Sequence, residues 1–221
     1  MAAFHPRLED LPTEFAVFPL TGALLLPRGK LPLNIFEQRY LALTLDSLAA
    51  DRVFGMIQAD PHLPPAGGEP GLYRIGCLGR LSSFNETDDG RLLITLTGLI
   101  RFTITAELAP HHGYRRVHGD FARFTGDLAE TRPEVDIQRD KLLVALRGYF
   151  AQRGVEANWD AIRAMPDDTL VTTLAMACPF EPVEKQALLE APTDADRAAT
   201  LLALLQMGAA GPDLPRGHSV S

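Results

Sequence analysis

The sequence is poor in cysteine, and it lacks long uncharged apolar runs and any excess of basic side chains. Its two cysteines, Cys77 and Cys178, lie far apart without CxxC spacing, so the pattern signals neither a disulfide framework nor a cysteine zinc site. No run approaches the roughly 20 apolar residues that a membrane helix needs. The N-terminus lacks the basic start and apolar stretch of a secretion signal. We therefore expect a cytoplasmic protein with reduced thiols and no membrane partner.

The charge balance over the 221 residues is acidic, with 21 lysines and arginines against 28 aspartates and glutamates and a net charge of −7. Binding to a nucleic acid backbone is driven by clustered cations, so this balance makes nucleic acid an unexpected partner. The acidity is concentrated in the second half. Residues 1–125 carry 12 basic and 13 acidic side chains, whereas residues 126–221 carry 9 and 15.

Motifs of common enzyme classes are also missing. Gly29-Lys30 is followed by Leu31 instead of serine or threonine, and no glycine stands at the required position before it, so the stretch is not a phosphate loop. The sequence contains neither the G-x-S-x-G of a serine hydrolase nor the H-E-x-x-H of a zinc protease. A Cys/His pair built on Cys77 or Cys178 stays open, although both lie in apolar runs where cysteine behaves as a small hydrophobe. We expect no catalytic residue and no cofactor.

Three histidines, His111, His112 and His118, lie close together in the segment PHHGYRRVH and are candidate metal ligands. No carboxylate or thiol stands at ligand spacing beside them, and a glycine breaks the segment. A loop and a solvent-facing strand explain these histidines better, so we expect no metal site.

The first half of the chain carries the alternating pattern of β-strands. Between Arg91 and Thr105 apolar side chains alternate with threonine and arginine, which predicts a strand with one buried face, and Gly98 indicates a bulge or bend within it. Asp89-Gly90 separates this strand from segment 73–84, so we predict a hairpin. Further strands are predicted at 14–20, 53–58 and 114–124. Five or six strands with glycine bends are typical of a small closed or half-closed barrel.

After about residue 126 the periodicity becomes helical. Segment 134–154 has an apolar face and ends at Gly154. The last predicted helix begins with Thr193 and Asp196, a relative of the capping box, and closes at Gly208.

One further helix is predicted inside the β half, after the stretch LPRGKLPL. Its two prolines hold the chain extended, and then Asn34 caps a helix whose third residue, Glu37, reaches back to the cap amide. The apolar face of this helix is predicted to contain Phe36, Tyr40, Leu41, Leu45 and Leu48.

Three stretches resemble the N-terminal, substrate-binding domain of Lon proteases, in the stand-alone bacterial form without ATPase and protease modules. They read FPLTGALLLPRGKLPLNIFEQRY, IGCLGRLSSFNETDDGRLLITLTGLIRF and LAMACPFEPVEKQALLEAPTDADRAATLLALL. The resemblance runs from about Phe15 to Leu205 in the family's order. It implies an α+β fold with an N-terminal PUA-like β pseudo-barrel and a C-terminal helical bundle. We place these subdomains at 14–125 and 126–208, with a mobile tail at 209–221.

The resemblance implies a non-catalytic module that recognises unfolded or extended polypeptide, as an adaptor or chaperone-like factor with a protease or chaperone as partner. The alternative is a PUA-like module that binds a small molecule or RNA, and an undetected hydrolase is the third possibility. A sheet edge is expected to accept an added polypeptide strand. The peptide-binding candidates are Pro27, Leu31, Leu33, Phe84, Glu37, Arg39 and Tyr40. For the apolar members a place in the core is the simpler interpretation, and for the polar members a helix cap with a salt bridge.

Overall fold

The computed structural model describes residues 6–65, 68–130 and 137–210. The chain folds into a mixed α+β structure. Its strands are β1 (Glu14–Pro19), β2 (Lys30–Ile35), β3 (Val53–Ile57), β4 (Ile75–Glu86), β5 (Leu92–His111) and β6 (Tyr114–Asp120). Its helices are α1 (Gln38–Ala49), α2 (Arg139–Arg153), α3 (Trp159–Ala164), α4 (Asp167–Ala177), α5 (Pro182–Glu190) and α6 (Asp194–Ala210). Two 3-10 segments, Leu8–Asp10 and Ala122–Leu128, flank the strands.

The contacts divide the chain into two compact units. The first contains Met1–Pro133 and Ala175–Glu190, and the second contains Glu134–Leu174 and Ala191–Ser221. Helix α5 therefore groups with the six strands and α1. The subdomain boundaries proposed from the sequence, at 125/126 and 208/209, stay a prediction.

The six strands form one sheet in the order β2-β5-β4-β3-β1-β6. Strand β5 also pairs with β6, so the hydrogen-bonded neighbours β5, β4, β3, β1 and β6 form a closed circuit. The β1–β3 pairing is parallel, and the other pairings are antiparallel. Among the described residues β2 pairs with β5 alone, so it lies at an edge outside the circuit.

Strand β5 pairs with three neighbours, β2, β4 and β6, and it is irregular near Gly98. The register between β4 and β5 shifts there, since Leu78 pairs with Ile100 and Gly79 with Gly98. A side chain at Gly98 would collide with the carbonyl of Leu26, which approaches the strand directly. The predicted irregularity at this glycine is confirmed, and its physical cause is the close approach of a second backbone.

The strand predictions at 14–20, 53–58, 73–84 and 91–105 are confirmed, and β5 extends six residues further, to His111. The segment 114–124 is a strand only as far as Asp120. The Asp120 carboxylate accepts a hydrogen bond from the amide of Ala122, which turns the chain into the 3-10 segment.

The predicted cap of α1 is wrong. Asn34 lies in β2, the helix begins after Glu37, and the Glu37 side chain makes no cap hydrogen bond. Pairing of Asn34 with Leu93 keeps the chain extended for longer than the local cap signal predicts. The buried face of α1 differs accordingly, because Leu45 is exposed while the buried positions are Tyr40, Leu43, Thr44 and Ser47.

In the second unit, α2 and α6 pack closely where Gly208 meets Tyr149. A Cβ at Gly208 would lie 2.6 Å from the Tyr149 ring, and Arg153 donates to the Gly208 carbonyl at 3.1 Å. Helix α6 continues past the predicted end at Gly208 to Ala210. The missing side chain at Gly208 makes room for the Tyr149 ring and does not end the helix. The residues after Ala210, which are most of the predicted tail at 209–221, lie outside the described part of the chain.

The predicted start of α6 at Thr193 and the predicted end of α2 at Gly154 are confirmed. The Thr193 hydroxyl accepts from the Asp196 amide at 3.1 Å, and the Asp196 carboxylate accepts from the Thr193 amide at 3.1 Å. This is a reciprocal cap of the capping-box type. Helix α2 ends at Gly154, which adopts φ +62°.

A buried ion pair joins three parts of the first unit. Arg101 on β5 donates to Asp127 from Nε and Nη2 at 2.9 Å each, and its backbone amide donates to the same carboxylate at 3.0 Å. Its Nη1 donates to the Leu189 carbonyl in α5 at 3.1 Å. Both charged side chains are about 95% buried, with 5% and 6% exposed. The pair therefore fixes the 3-10 segment and α5 on the strand.

Removing one partner of this pair should be costly. We expect Asp127→Ala to lower the free energy of unfolding by about 3–5 kcal/mol, because it leaves the Arg101 charge buried without its carboxylate. The matched control is Asp89→Ala, which breaks an exposed pair with Arg91 and should cost at most about 1 kcal/mol. Urea unfolding followed by circular dichroism measures both. Equal losses in the two variants would contradict this description of the core.

No helix within the described residues combines the length and the hydropathy that crossing a bilayer requires.

Candidate functional site

A groove of about 480 Å³ crosses β2, β5 and β4 near the end of the sheet. Its nine lining residues form three consecutive cross-strand rows: Pro32–Thr95–Ser83, Leu33–Ile94–Phe84 and Asn34–Leu93–Asn85. We call this the β2–β5–β4 groove.

Apolar side chains in this groove are open to solvent. Phe84 is 58% exposed and Leu93 is 45% exposed, whereas Ile94 in the central strand is buried. Phe36, which follows β2 directly, is 59% exposed and lies beneath the guanidinium of Arg91 at 5.8 Å. Phe84 and Leu93 lie on opposite faces of this sheet end, because Phe84 pairs with Ile94 and Leu93 pairs with Asn85. Large exposed apolar groups are typical of a surface that contacts another molecule.

Leu93 was missed in the sequence analysis, although the sequence contains a signal for it. The outward positions of β5 that follow it are threonines, Thr95 and Thr97, as expected for a solvated face. Leu93 places an apolar side chain at the same kind of position. An apolar exception on the polar side of an alternating strand marks such a surface.

The free edge of β2 lies beside the groove. The Gly98 amide donates to the Gly29 carbonyl at 2.9 Å, and the Gly98 carbonyl accepts from the Arg28 amide at 2.8 Å, so the carbonyl of Gly29 faces β5. Backbone groups alternate in direction along an antiparallel strand, so residues 31, 33 and 35 bond to β5 and residues 30, 32 and 34 face outward. Because Pro32 has no N–H, the edge offers the amides of Lys30 and Asn34 and three carbonyls.

The polar candidates Glu37, Arg39 and Tyr40 take part in internal contacts. Arg39 pairs with Glu69 at 2.8 Å and with Glu37 at 3.3 Å, which ties the loop after β3 to the start of α1. Tyr40 is buried, and its ring lies 4.0 Å from that of Phe18. Burial raises the pKa of the Tyr40 phenol, so it stays neutral. These contacts match the helix-anchoring interpretation better than a peptide-terminus site.

The apolar candidates divide between the core and the groove. Pro27 is buried next to Gly98, and Leu31 is half-buried opposite Leu96. Leu33 and Phe84 share one row of the groove. The structure therefore brings two of the four apolar candidates together and leaves Pro27 and Leu31 outside the lining.

The three candidate histidines also separate. His118 lies 3.4 Å from the Glu14 carboxylate. His111 and His112 both lie against Asp46 of α1, a carboxylate outside the histidine segment in which no carboxylate stands at ligand spacing. Asp46 is 65 positions earlier in the chain, so ligand spacing in the sequence cannot find it.

Comparisons with known proteins show which family the chain belongs to. A family model described as "ATP-dependent protease La (LON) substrate-binding domain" matches residues 14–207. The match covers most of the chain, and the chain belongs to this family of Lon substrate-binding domains.

Curated relatives are similar over part of the chain. Lon protease 2 of Myxococcus xanthus is 27% identical over 112 residues, which are 51% of this chain and 13% of that protein. The Lon protease of Anaeromyxobacter dehalogenans is 26% identical over 96 residues, 43% of this chain and 11% of that protein. The aligned parts thus span only about an eighth or less of these relatives.

Solved structures show the same fold. The crystal structure of a Lon N-terminal domain protein from Xanthomonas campestris matches with a TM-score of 0.61 and 22% identity, over 87% of this chain and 98% of that one. The N-terminal domain of the Mycobacterium avium complex Lon protease matches with a TM-score of 0.58 and 15% identity, over 90% and 99%. The mixed α+β fold is therefore that of Lon N-terminal domains.

Substitutions in the groove should separate exposed from structural side chains. We expect Phe84→Ser and Leu93→Ser each to change the free energy of unfolding by no more than about 0.5 kcal/mol, because neither side chain is buried. Ile94→Ser, in the same rows, should cost about 3 kcal/mol or more. Urea unfolding measures all three. A large loss in Phe84→Ser would show that its ring is part of the core.

Proposed function

We propose that this chain is a non-catalytic module that recognises extended polypeptide through the free edge of β2 and the β2–β5–β4 groove. The observation that carries the proposal is that β4 and β5 expose Phe84 and Leu93 at the same end of the sheet as β2, an edge strand whose outward backbone groups have no strand partner among the described residues. Membership of a substrate-binding domain family supports polypeptide as the kind of partner.

The edge and the groove supply two different parts of recognition. An added strand gains backbone hydrogen bonds from the amides of Lys30 and Asn34 and from three carbonyls, and these bonds do not depend on its sequence. Its side chains alternate between the two faces of the sheet, so one set lies on the face that carries Leu33 and Phe84 and the other set on the face that carries Leu93. Segments with alternating apolar residues should therefore bind best.

The missing donor at Pro32 limits the strength of this pairing. Proline on an edge strand discourages extended aggregation, while a short segment can still pair on both sides of it. A disordered partner also loses entropy as it becomes ordered. Both effects favour micromolar, reversible binding, as is suitable for a module that samples many unfolded segments.

Several finer features belong to this proposal. The closed circuit of strands supports a PUA-like pseudo-barrel, and the helices of the second unit support a C-terminal bundle. A role as adaptor or chaperone-like factor and a protease or chaperone as partner are inferred from the family resemblance. The cytoplasmic location is inferred from the two widely spaced cysteines. The absence of a phosphate loop and of hydrolase motifs from the sequence supports a module without activity of its own.

Titration of a fluorescent unfolded polypeptide tests the binding surface. We expect Phe84→Asp and Leu93→Asp each to weaken binding roughly tenfold, because loss of an apolar contact of about 1.4 kcal/mol changes the dissociation constant by that factor. Leu45→Asp on α1 is the matched control, since Leu45 is 56% exposed and receives the same charge. Circular dichroism checks the fold of each variant.

Salt and an alternative ligand separate the two classes of function. Apolar contacts and backbone hydrogen bonds should give similar polypeptide affinity at low and high salt, whereas RNA binding falls steeply with salt. A structured RNA is therefore titrated in parallel. Strong, salt-sensitive RNA binding without detectable polypeptide binding would replace this proposal with the RNA-binding alternative, and equal weakening by Leu45→Asp would remove the groove from it.

A further inference from the structure

The turn between β5 and β6 brings two imidazoles against one carboxylate. The nearest ligand atoms are His112 Nδ1 and Asp46 Oδ2, 2.8 Å apart, and His111 Nε2 lies 3.8 Å from the same oxygen. One ligand atom from each of the three residues lies within 4.8 Å of the others. The site is in the first unit and does not overlap the groove residues.

We propose that His111, His112 and Asp46 form a binding site for a divalent transition-metal cation of the zinc type. Two imidazoles and a carboxylate are a ligand set that Zn²⁺ accepts, with a further position left for water. Ligand atoms around a tetrahedral zinc ion at about 2.05 Å lie about 3.3 Å apart. The observed separations from Asp46 Oδ2, 2.8 and 3.8 Å, bracket that spacing, and all three ligand atoms lie within 4.8 Å of one another.

The backbone holds the two histidines in place. His111 pairs with Tyr114 across a two-residue turn, in which His112 and Gly113 have φ +46° and +83°. Two consecutive positive φ values define a type I′ turn, a conformation for which asparagine or glycine is the usual choice. The imidazole at this unfavourable position lies beside that of His111, with ring centroids 3.9 Å apart.

A neighbouring phenol orients the carboxylate. The Tyr114 hydroxyl donates to Asp46 Oδ2 at 2.8 Å. Metal-binding side chains are commonly held by such an outer hydrogen bond.

Solvent access and local charge allow a cation to enter. The side chains of His111, His112 and Asp46 are 53%, 58% and 39% exposed. Arg39 passes beside Gly113 in the same turn, but its guanidinium is paired with Glu37 and Glu69. Metal bound here would link the β5–β6 turn to α1.

Calorimetric titration of the protein with Zn²⁺, without a histidine tag, tests the site. We expect one Zn²⁺ per chain with micromolar affinity and a rise in Tm at saturating metal. His112→Asn should abolish binding while the turn is kept, because Asn-Gly is the preferred type I′ sequence. Tyr114→Phe should weaken binding about tenfold, as expected for loss of an outer-shell partner.

The control is His118→Asn, which removes an exposed histidine of β6 and should leave zinc affinity unchanged. Co²⁺ provides a second readout, since its visible spectrum should show nitrogen ligands that disappear in His112→Asn. No zinc binding by the unaltered protein, or binding that His112→Asn leaves unchanged, would overturn the proposal and leave an Asp–His pair that anchors the turn. The outcome is independent of polypeptide binding.

Discussion

The buried pair of Arg101 and Asp127 is the interaction on which the first unit depends. A guanidinium with 5% exposure is tolerated only if its hydrogen bonds are satisfied, and here the carboxylate of the 3-10 segment and the carbonyl of Leu189 accept them. The Phe124 ring lies 4.5 Å from the same guanidinium. The Arg101 side chain of β5 thereby holds both the 3-10 segment and α5. Strand β5 is also the central strand of the β2–β5–β4 groove.

Strand β5 could be predicted from the sequence because alternation and glycine are local signals. Its bend at Gly98 follows from the same reasoning, although the colliding partner, Leu26, could not be named. The predicted cap at Asn34 is wrong because Asn34 pairs with Leu93 of β5, and this strand pairing outweighs a helix cap worth about 1 kcal/mol. Gly208 was predicted to end a helix, but its lack of a side chain instead makes room for Tyr149.

The candidate sites also depend on contacts between residues that are distant in the sequence. Phe84 and Leu33 were predicted as apolar contacts for an extended polypeptide, and the structure places them in one row. Their neighbour Leu93, and the meeting of Asp46 with two histidines, depend on strand register and on contacts between distant segments. Sequence patterns predicted the family, the α+β class and most strands. Which exposed side chains lie together is decided by tertiary pairing.

The central claim is that an extended polypeptide adds to the free edge of β2. Hydrogen exchange of individual amides, followed by NMR with and without saturating unfolded polypeptide, tests it most directly. The account predicts slower exchange at the outward amides of Lys30 and Asn34, with little change at Leu31 and Leu33, which already bond to β5. Bound polypeptide without slower exchange at Lys30 and Asn34 would contradict the claim.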